Sequence, residues 1–336
     1  MSLNRVANWY ANKTAMLAQA VPTLRLRWLS TSTRGLIVLV FIIGAWLGWL
    51  VRGAHTQRDA VAAIKNARSA IGYDWQMRNG KYNPAGKPWA PKRLTELIGI
   101  DYFCHVTDVS LVLRSTPTDA MMAHVGRLAQ LEQLNISARS LTDAEMANLA
   151  GLKELSRLDL RYVKVSNADL AHLKALTNLS TLNLSSTLIS DAGLTHLKAL
   201  TELTVLDLSG TDVSDASLEH LKGLTKLAVL DLRFTQVSDA GLTHLERLGK
   251  LSVLHLASTR VTANGLAHLS KLTALSDLNL RETQVSDAGL VHLMGLSKLS
   301  KLNLDGTWVT KTGMKSLQET FPSLKIYHPQ PSGPRH

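Results

Sequence analysis

Six consecutive stretches of this chain repeat one pattern at an unvarying length, beginning at Leu158, Leu182, Leu206, Leu230, Leu254 and Leu278, each twenty-four positions after the last. A period of that size leaves few architectures open, because a unit so short cannot close a hydrophobic core of its own. Looser copies begin at Leu111 (shorter by one position), Leu134 and Leu302, which makes nine. No proline falls between Pro117 and Pro322, so nothing interrupts the array.

Each unit contains two periods. Leu206 and Leu208 alternate with polar residues, as in a short strand. Val213, Leu218, Leu221, Leu224 and Leu227 then follow helical or turn spacing, with Ser214-Asp215 placed to cap the helix N-terminus. Stacked neighbours bury what one repeat cannot. The pattern therefore predicts an α/β solenoid with a parallel sheet on its inner, concave face and helices on the convex back. Nine strands about 4.8 Å apart span roughly 43 Å.

The run Leu-x-x-Leu-x-Leu-x-x-Thr-x-Val-Ser-Asp-Ala-Gly-Leu-x-His-Leu resembles the leucine-rich repeat of the ribonuclease-inhibitor-like class, found in F-box proteins and many bacterial proteins. The chain is similar above all to membrane-anchored leucine-rich repeat proteins of planctomycete bacteria. Residues 59–110 resemble the segment before the repeats in those proteins, including Ile71-Gly72-Tyr73-Asp74-Trp75 and Asp101-Tyr102-Phe103. The resemblance implies the fold but not the ligand, since this fold serves many. Where F-box proteins carry an F-box, this chain carries an apolar segment.

That segment, Gly35 to Val51, has no charge along its length and is closed by Arg34 and Arg52. At 1.5 Å per residue it is about 25 Å long, close to the lower limit for a hydrocarbon core of roughly 30 Å. Trp28, Trp46 and Trp49 suit the interfaces, and the arginines can extend outward. Arg52 stands where a signal peptide would have a small-residue cleavage site, which favours an uncleaved anchor. Nearby basic residues are nearly balanced, with Arg25, Arg27 and Arg34 before the segment and Arg52, Arg58, Lys65 and Arg68 after it. A long domain after an N-terminal anchor places the N-terminus in the cytoplasm and the repeats across the membrane. The expected organisation is a basic tail over 1–34, a transmembrane helix over 35–51, and a juxtamembrane and capping region over 52–110. Nine repeats over 111–325 and a tail over 326–336 complete it. Within the capping region, residues 53–70 read as a basic amphipathic helix and Pro91 to Ile98 as a short one.

The net charge of +11 suggests nucleic acid until it is located. Residues 1–51 contribute +5 (five basic, no acidic) and residues 52–105 another +5 (nine basic, four acidic). The rest of the chain, 106–336, contributes +1, from 23 basic and 22 acidic side chains. The repeats have no surplus with which to displace counterions from phosphates, so no nucleic-acid partner is expected.

Several residues invite a chemical reading. His124, His172, His196, His220, His244, His268 and His292 share one column. Zinc needs ligands converging at about 2.0–2.1 Å on one ion, whereas parallel elements at least about 4.8 Å apart point theirs the same way. A structural role follows, with hydrogen bonding at each helix face and no metal. Thr116, Thr187, Thr211, Thr235, Thr259, Thr283 and Thr307 form a second column, expected to satisfy loop backbone groups. Cys104, the one cysteine, adjoins His105, but neighbours on a strand point to opposite faces. No phosphate loop, dinucleotide fingerprint, nucleophile elbow or zinc-protease motif is present, and eleven residues follow Lys325. No catalytic residue, cofactor or enzyme activity is expected.

The informative positions are those the repeat leaves free. Strand residues flanking the leucines face the concave side. Val205, Val229 and Val253 make an apolar strip there, beside Asp207, Asp231 and His255. Arg161, Arg233 and Arg281 form the next column, with Tyr162 and Phe234 at its edge. An apolar centre with a charged rim suits a protein or peptide partner. Two other readings stand beside it: a structural spacer at the cell envelope without a discrete ligand, and a regulatory subunit of an enzyme complex. The sequence predicts that the whole chain fractionates with membranes, whereas a chain begun at Arg52 stays in the supernatant after ultracentrifugation. Recovery of the whole chain in the supernatant without detergent contradicts the anchor.

Overall fold

A computed structural model describes residues 33–78, 81–83, 86–88, 90–112 and 119–328. The tail before residue 33, with Arg25, Arg27 and Trp28, lies outside the described residues, as do Thr116 and the chain after residue 328. The first element, α1 (Thr33–Asn66), is one unbroken helix, about 51 Å long at 1.5 Å per residue. It runs through Arg52, so the apolar segment and the basic stretch after it are one rod. Its first part holds its apolar side chains outward, Phe41 at 74% exposure, while Ala54, Ala60, Val61 and Ile64 further along are buried. By length and composition α1 is sufficient to cross a membrane.

The expectation of a helix through residue 70 needs correction. The helix stops at Asn66 because Ala70–Tyr73 forms strand β1, antiparallel to β4 (Val106–Val112), with Ile71 opposite Val109. A small hairpin of β2 (Met77–Arg78) and β3 (Lys81–Tyr82) follows, and then a short helix, Lys92–Ile98, behind Pro91. From β4 onward every pairing is parallel. The strands are β5 (Gln133–Ser137), β6 (Arg157–Asp159), β7 (Thr181–Asn183), β8 (Val205–Asp207) and β9 (Val229–Asp231). They continue as β10 (Val253–His255), β11 (Asp277–Asn279), β12 (Lys301–Asn303) and β13 (Lys325–Tyr327). Eleven strands form one sheet, two more than the repeats, because β1 flanks it at one end and β13 at the other.

The leucines form a single buried cluster behind this sheet, from Ala60 and Ile64 of α1 to Leu317 and Leu324. Equivalent leucines pair in register, Leu206 with Leu182 on one side and Leu230 on the other. Such a stack has few ways to slip, since a shift of one residue would turn the leucines to solvent.

Polar ladders hold the turns. Ser156, Ser180, Thr204, Ser252, Ser276 and Ser300 each donate a hydroxyl hydrogen bond, 2.9–3.0 Å, to the carbonyl of the same position one repeat earlier. The threonine column donates backwards within its own repeat, as from Thr211 to the Leu208 carbonyl, and Thr235 to that of Leu232.

The expected helix cap at Ser214-Asp215 takes a different form. Ser214 occupies the N-cap position without capping its own helix. Its backbone N–H (2.7 Å) and its hydroxyl (2.6 Å) donate instead to Asp191 of the repeat before. Asp215 accepts the same pair from Ser238, Asp239 from Thr262, and Asp287 from Thr310. This joint also explains the glycine of Ser-Asp-Ala-Gly-Leu. A Cβ on Gly265 would lie 2.2 Å from the Asp239 Oδ1, and one on Gly241 2.5 Å from the Asp215 Oδ1.

Asp215→Ala is expected to cost about 1–3 kcal/mol, because it strips the partner from the Ser238 N–H and hydroxyl. Leu206→Asp, at 0% exposure, should abolish the cooperative transition altogether, since it buries an unpaired charge. Urea unfolding followed by circular dichroism distinguishes the graded loss from the collapse.

Candidate binding surface

Three columns of side chains leave the concave face of the sheet. Val205, Val229 and Val253 are register partners on β8, β9 and β10, all half-buried. One pleat further on, Asp207, Asp231 and His255 are likewise side by side. The third column lies just past the strand ends and brings Arg161, Ser185, Ser209, Arg233, Ala257, Arg281 and Asp305 along one edge. The structure thus gathers Val205, Val229, Val253, Asp207, Asp231, Arg233 and His255 into one patch. Arg161 with Tyr162 lies toward the first repeats, and Arg281 toward the last.

Within the patch Asp231 is not a surface residue. It is 6% exposed, beneath Arg233 and His255. The Arg233 Nε donates to both of its carboxylate oxygens at 2.9 Å, the Arg233 backbone N–H donates to Oδ1 at 3.0 Å, and the His255 Nδ1 lies 3.4 Å from Oδ2. Burial pushes the Asp231 carboxyl upward, but the bonds from His255 and Arg233 outweigh it and hold the group below its ordinary value. Asp159 binds Arg161 in the same way in the first of the regular repeats. Arg281 is tied instead to Glu282 and Asp305, at 2.8 and 3.0 Å. Asp231 is thus a structural as well as a surface-column residue, because its carboxylate anchors a half-buried cation.

Asp207 differs from its neighbours. Its Oδ1 accepts from the Ser209 N–H (3.0 Å) and hydroxyl (2.7 Å), and among the described residues it forms no ion pair.

Sequence reasoning missed two exposed apolar side chains, Leu188 at 60% and Trp308 at 66%. They stand in a column where Lys164, Asp212, Gln236, Arg260 and Gln284 are polar, so the departure from the column was the available signal. It also missed a backbone feature. The turn after each of the strands β6 to β12 takes one residue at positive φ, from Tyr162 (63°) to Gly306 (68°), and five of these seven turn residues are not glycine.

The convex histidines do not form one network. His172 lies 2.7 Å from the Asp143 carboxylate and His268 3.0 Å from that of Glu246, whereas the buried His220 Nδ1 has no partner. The expected hydrogen bond at every helix face is thus absent at His220. Burial first, then Lys174, holds His196 below its ordinary value, and burial and Lys198 do the same for His220. Among the described residues no group of three or more His, Cys, Asp or Glu side chains is arranged to hold a metal. Cys104 is buried, and burial, with Asp74 and Asp101 nearby, pushes its thiol up to about 12. It is a core thiol at neutral pH, not a thiolate nucleophile.

Comparison with known proteins agrees on the repeat. A family model described as a leucine-rich repeat matches residues 199–221. No curated protein matches the chain. Among solved structures, an internalin (inlF) from Listeria monocytogenes is 20% identical over 61% of this chain, with a TM-score of 0.48. The match spans 63% of that internalin chain, less than two thirds of its length. An internalin C2 (inlC2) from the same organism is 24% identical over 61% of this chain and 80% of its own, with a TM-score of 0.49. The parallel sheet, the stacked leucines and the matched repeat define a leucine-rich repeat solenoid preceded by one long apolar helix. Proteins of this fold serve in general as scaffolds for protein–protein interaction.

Asp231→Asn should lower stability at pH 7 by about 1–3 kcal/mol, as for other charge-assisted hydrogen bonds. Because the folded carboxyl is held low, its contribution is present above the unfolded value near 3.9 and disappears as pH falls through the lower folded value. Urea melts at several pH values should therefore show the gap between parent and variant closing below about pH 4. A gap that stays constant down to pH 2 contradicts the assignment.

Proposed function

We propose that this chain is a membrane-anchored binding module that holds a protein or peptide partner on the concave face of its repeats. The observation that carries this reading is the contrast between columns. Positions in the core and in the polar ladders recur from repeat to repeat, whereas the concave columns change from Arg157 and Thr181 through three valines to Asp277 and Lys301. A recurring residue answers a recurring structural need, and a particular partner is better served by positions that differ.

The half-buried valines offer apolar area at the centre, with arginines, aspartates and His255 around them, the distribution seen in protein interfaces. The solvent-facing apolar part of α1 supports a single membrane pass over residues 35–51, with the N-terminus cytoplasmic and the repeats outside. On this reading residues 52–110 close the first repeat, since Ala60, Val61, Ile64 and Tyr73 join its core, and residues 111–325 form the binding domain. The Ser-Asp-Ala-Gly-Leu-x-His-Leu signature supports placing the repeats in the ribonuclease-inhibitor-like class and the chain beside the planctomycete membrane proteins. The core position of Cys104 supports a role without catalysis.

The test is site-directed photocrosslinking in native membranes. A benzophenone side chain at Val205 or Val253 should capture a discrete partner, and one at His220 or His244 on the convex side should not. Capture from the convex sites alone assigns binding to the other face. Capture from neither face points to a spacer without a ligand.

A further inference from the structure

We infer that the concave face reads an extended peptide carrying two apolar side chains four residues apart with a Lys or Arg between them. This rests on the concave-face reading above and adds the chemistry of the partner. It starts from backbone strain. At the turn position where Gly210 and Gly306 meet the left-handed conformation without cost, the chain places Tyr162 at φ 63° and Phe234 at φ 57°. Bulky side chains are outliers there. Neither ring is compensated by burial, since they are 72% and 61% exposed. Ser186, Ser258 and Glu282 share this turn conformation, but the two aromatics are the bulkiest side chains held in it, and strain of that kind clusters at ligand contacts.

Both aromatics sit in the same local unit. Asp159 clamps Arg161 beside Tyr162, and Asp231 clamps Arg233 beside Phe234. The two units are three repeats apart, about 14 Å at strand spacing. An extended peptide sets residues i and i+4 on one face about 13–14 Å apart, with i+2 between them on that face. Two apolar side chains of such a peptide reach the two aromatics together.

Charge supplies the middle residue. Arg161 and Arg233 are both taken by their own carboxylates. Asp207 lies between the two units, and its Oδ2 accepts no hydrogen bond among the described residues. Val205 and Val229 beside it are a floor for the aliphatic stem of a lysine or arginine whose head meets the carboxylate.

The probe is a fluorescent peptide, Ser-Thr-Leu-Thr-Lys-Thr-Leu-Thr-Ser, titrated against the full chain in detergent micelles by polarisation. Two controls replace its Lys by Glu or bring the leucines three residues apart. Each control should bind at least tenfold more weakly, and Asp207→Asn should erase the preference for Lys over Glu. The double variant Tyr162→Gly, Phe234→Gly should raise the melting temperature while weakening the peptide at least tenfold. Equal binding of the three peptides, no binding of any, or full binding by the glycine variant overturns the inference. If the peptides fail while a photocrosslinker at Val205 still captures a partner, the peptide pattern is wrong and the concave face remains the site. If both fail, the concave-face reading itself falls.

Discussion

A short repeat with seven apolar side chains can be dry only between two others like it, and most of this molecule follows from that constraint. Each leucine column is continuous because each strand pairs with the next in register. Many of the polar groups obey the same rule, since the serine ladder and the aspartate joints run between repeats. The Asp215 carboxylate serves the backbone and hydroxyl of Ser238, and Ser238 in turn stands at the N-cap of the helix of its own repeat. Removing one joint therefore weakens two repeats, the nearest-neighbour behaviour expected of a linear array.

A stack of this kind has two ends that its own rule cannot satisfy. At the first end the chain uses α1 and β1. Gln57 is the polar fastener there: 9% exposed, it donates to Asp101 (3.0 Å) and to the Cys104 carbonyl (2.8 Å), and accepts from the Val106 N–H (3.1 Å). Three satisfied bonds in a largely apolar junction fix the rotation of the helix about its axis as well as its position. Since the helix continues unbroken into its exposed apolar part, the orientation of the solenoid is tied to whatever surrounds that part.

Strain is distributed unevenly over the turns. Left-handed turn residues cost little as glycine, and of order 1–3 kcal/mol as a bulky side chain. Ser258 recovers some of that through its bond to Glu282, 2.7 Å away. Tyr162 and Phe234 have no such compensation in the core. Together with the clamped Arg161 and Arg233, they make two of the seven turns unlike the rest in a molecule otherwise built from near-identical parts.

The fold was legible because its physical cause is periodic. Leucines at fixed intervals declare what must be buried and in which order the strands stack, and the apolar segment before them declares a helix. Four things were decided only in three dimensions. That Ser214 bonds to the previous repeat and not to its own helix depends on a contact with Asp191, a separation that local capping rules do not contain. That α1 ends at Asn66 depends on the demand of β4 for a partner. That Asp231 is buried depends on Arg233 of its own repeat and His255 of the next folding over it, although its residue type reads as surface. The positive φ at Tyr162 and Phe234 arises from the turn geometry that seven of the repeats share, a backbone property that an aromatic side chain disguises in the sequence. Periodic hydrophobicity is a one-dimensional signal and survives in the chain as written, whereas burial of a charge and strain of a turn come into being only when separate repeats meet.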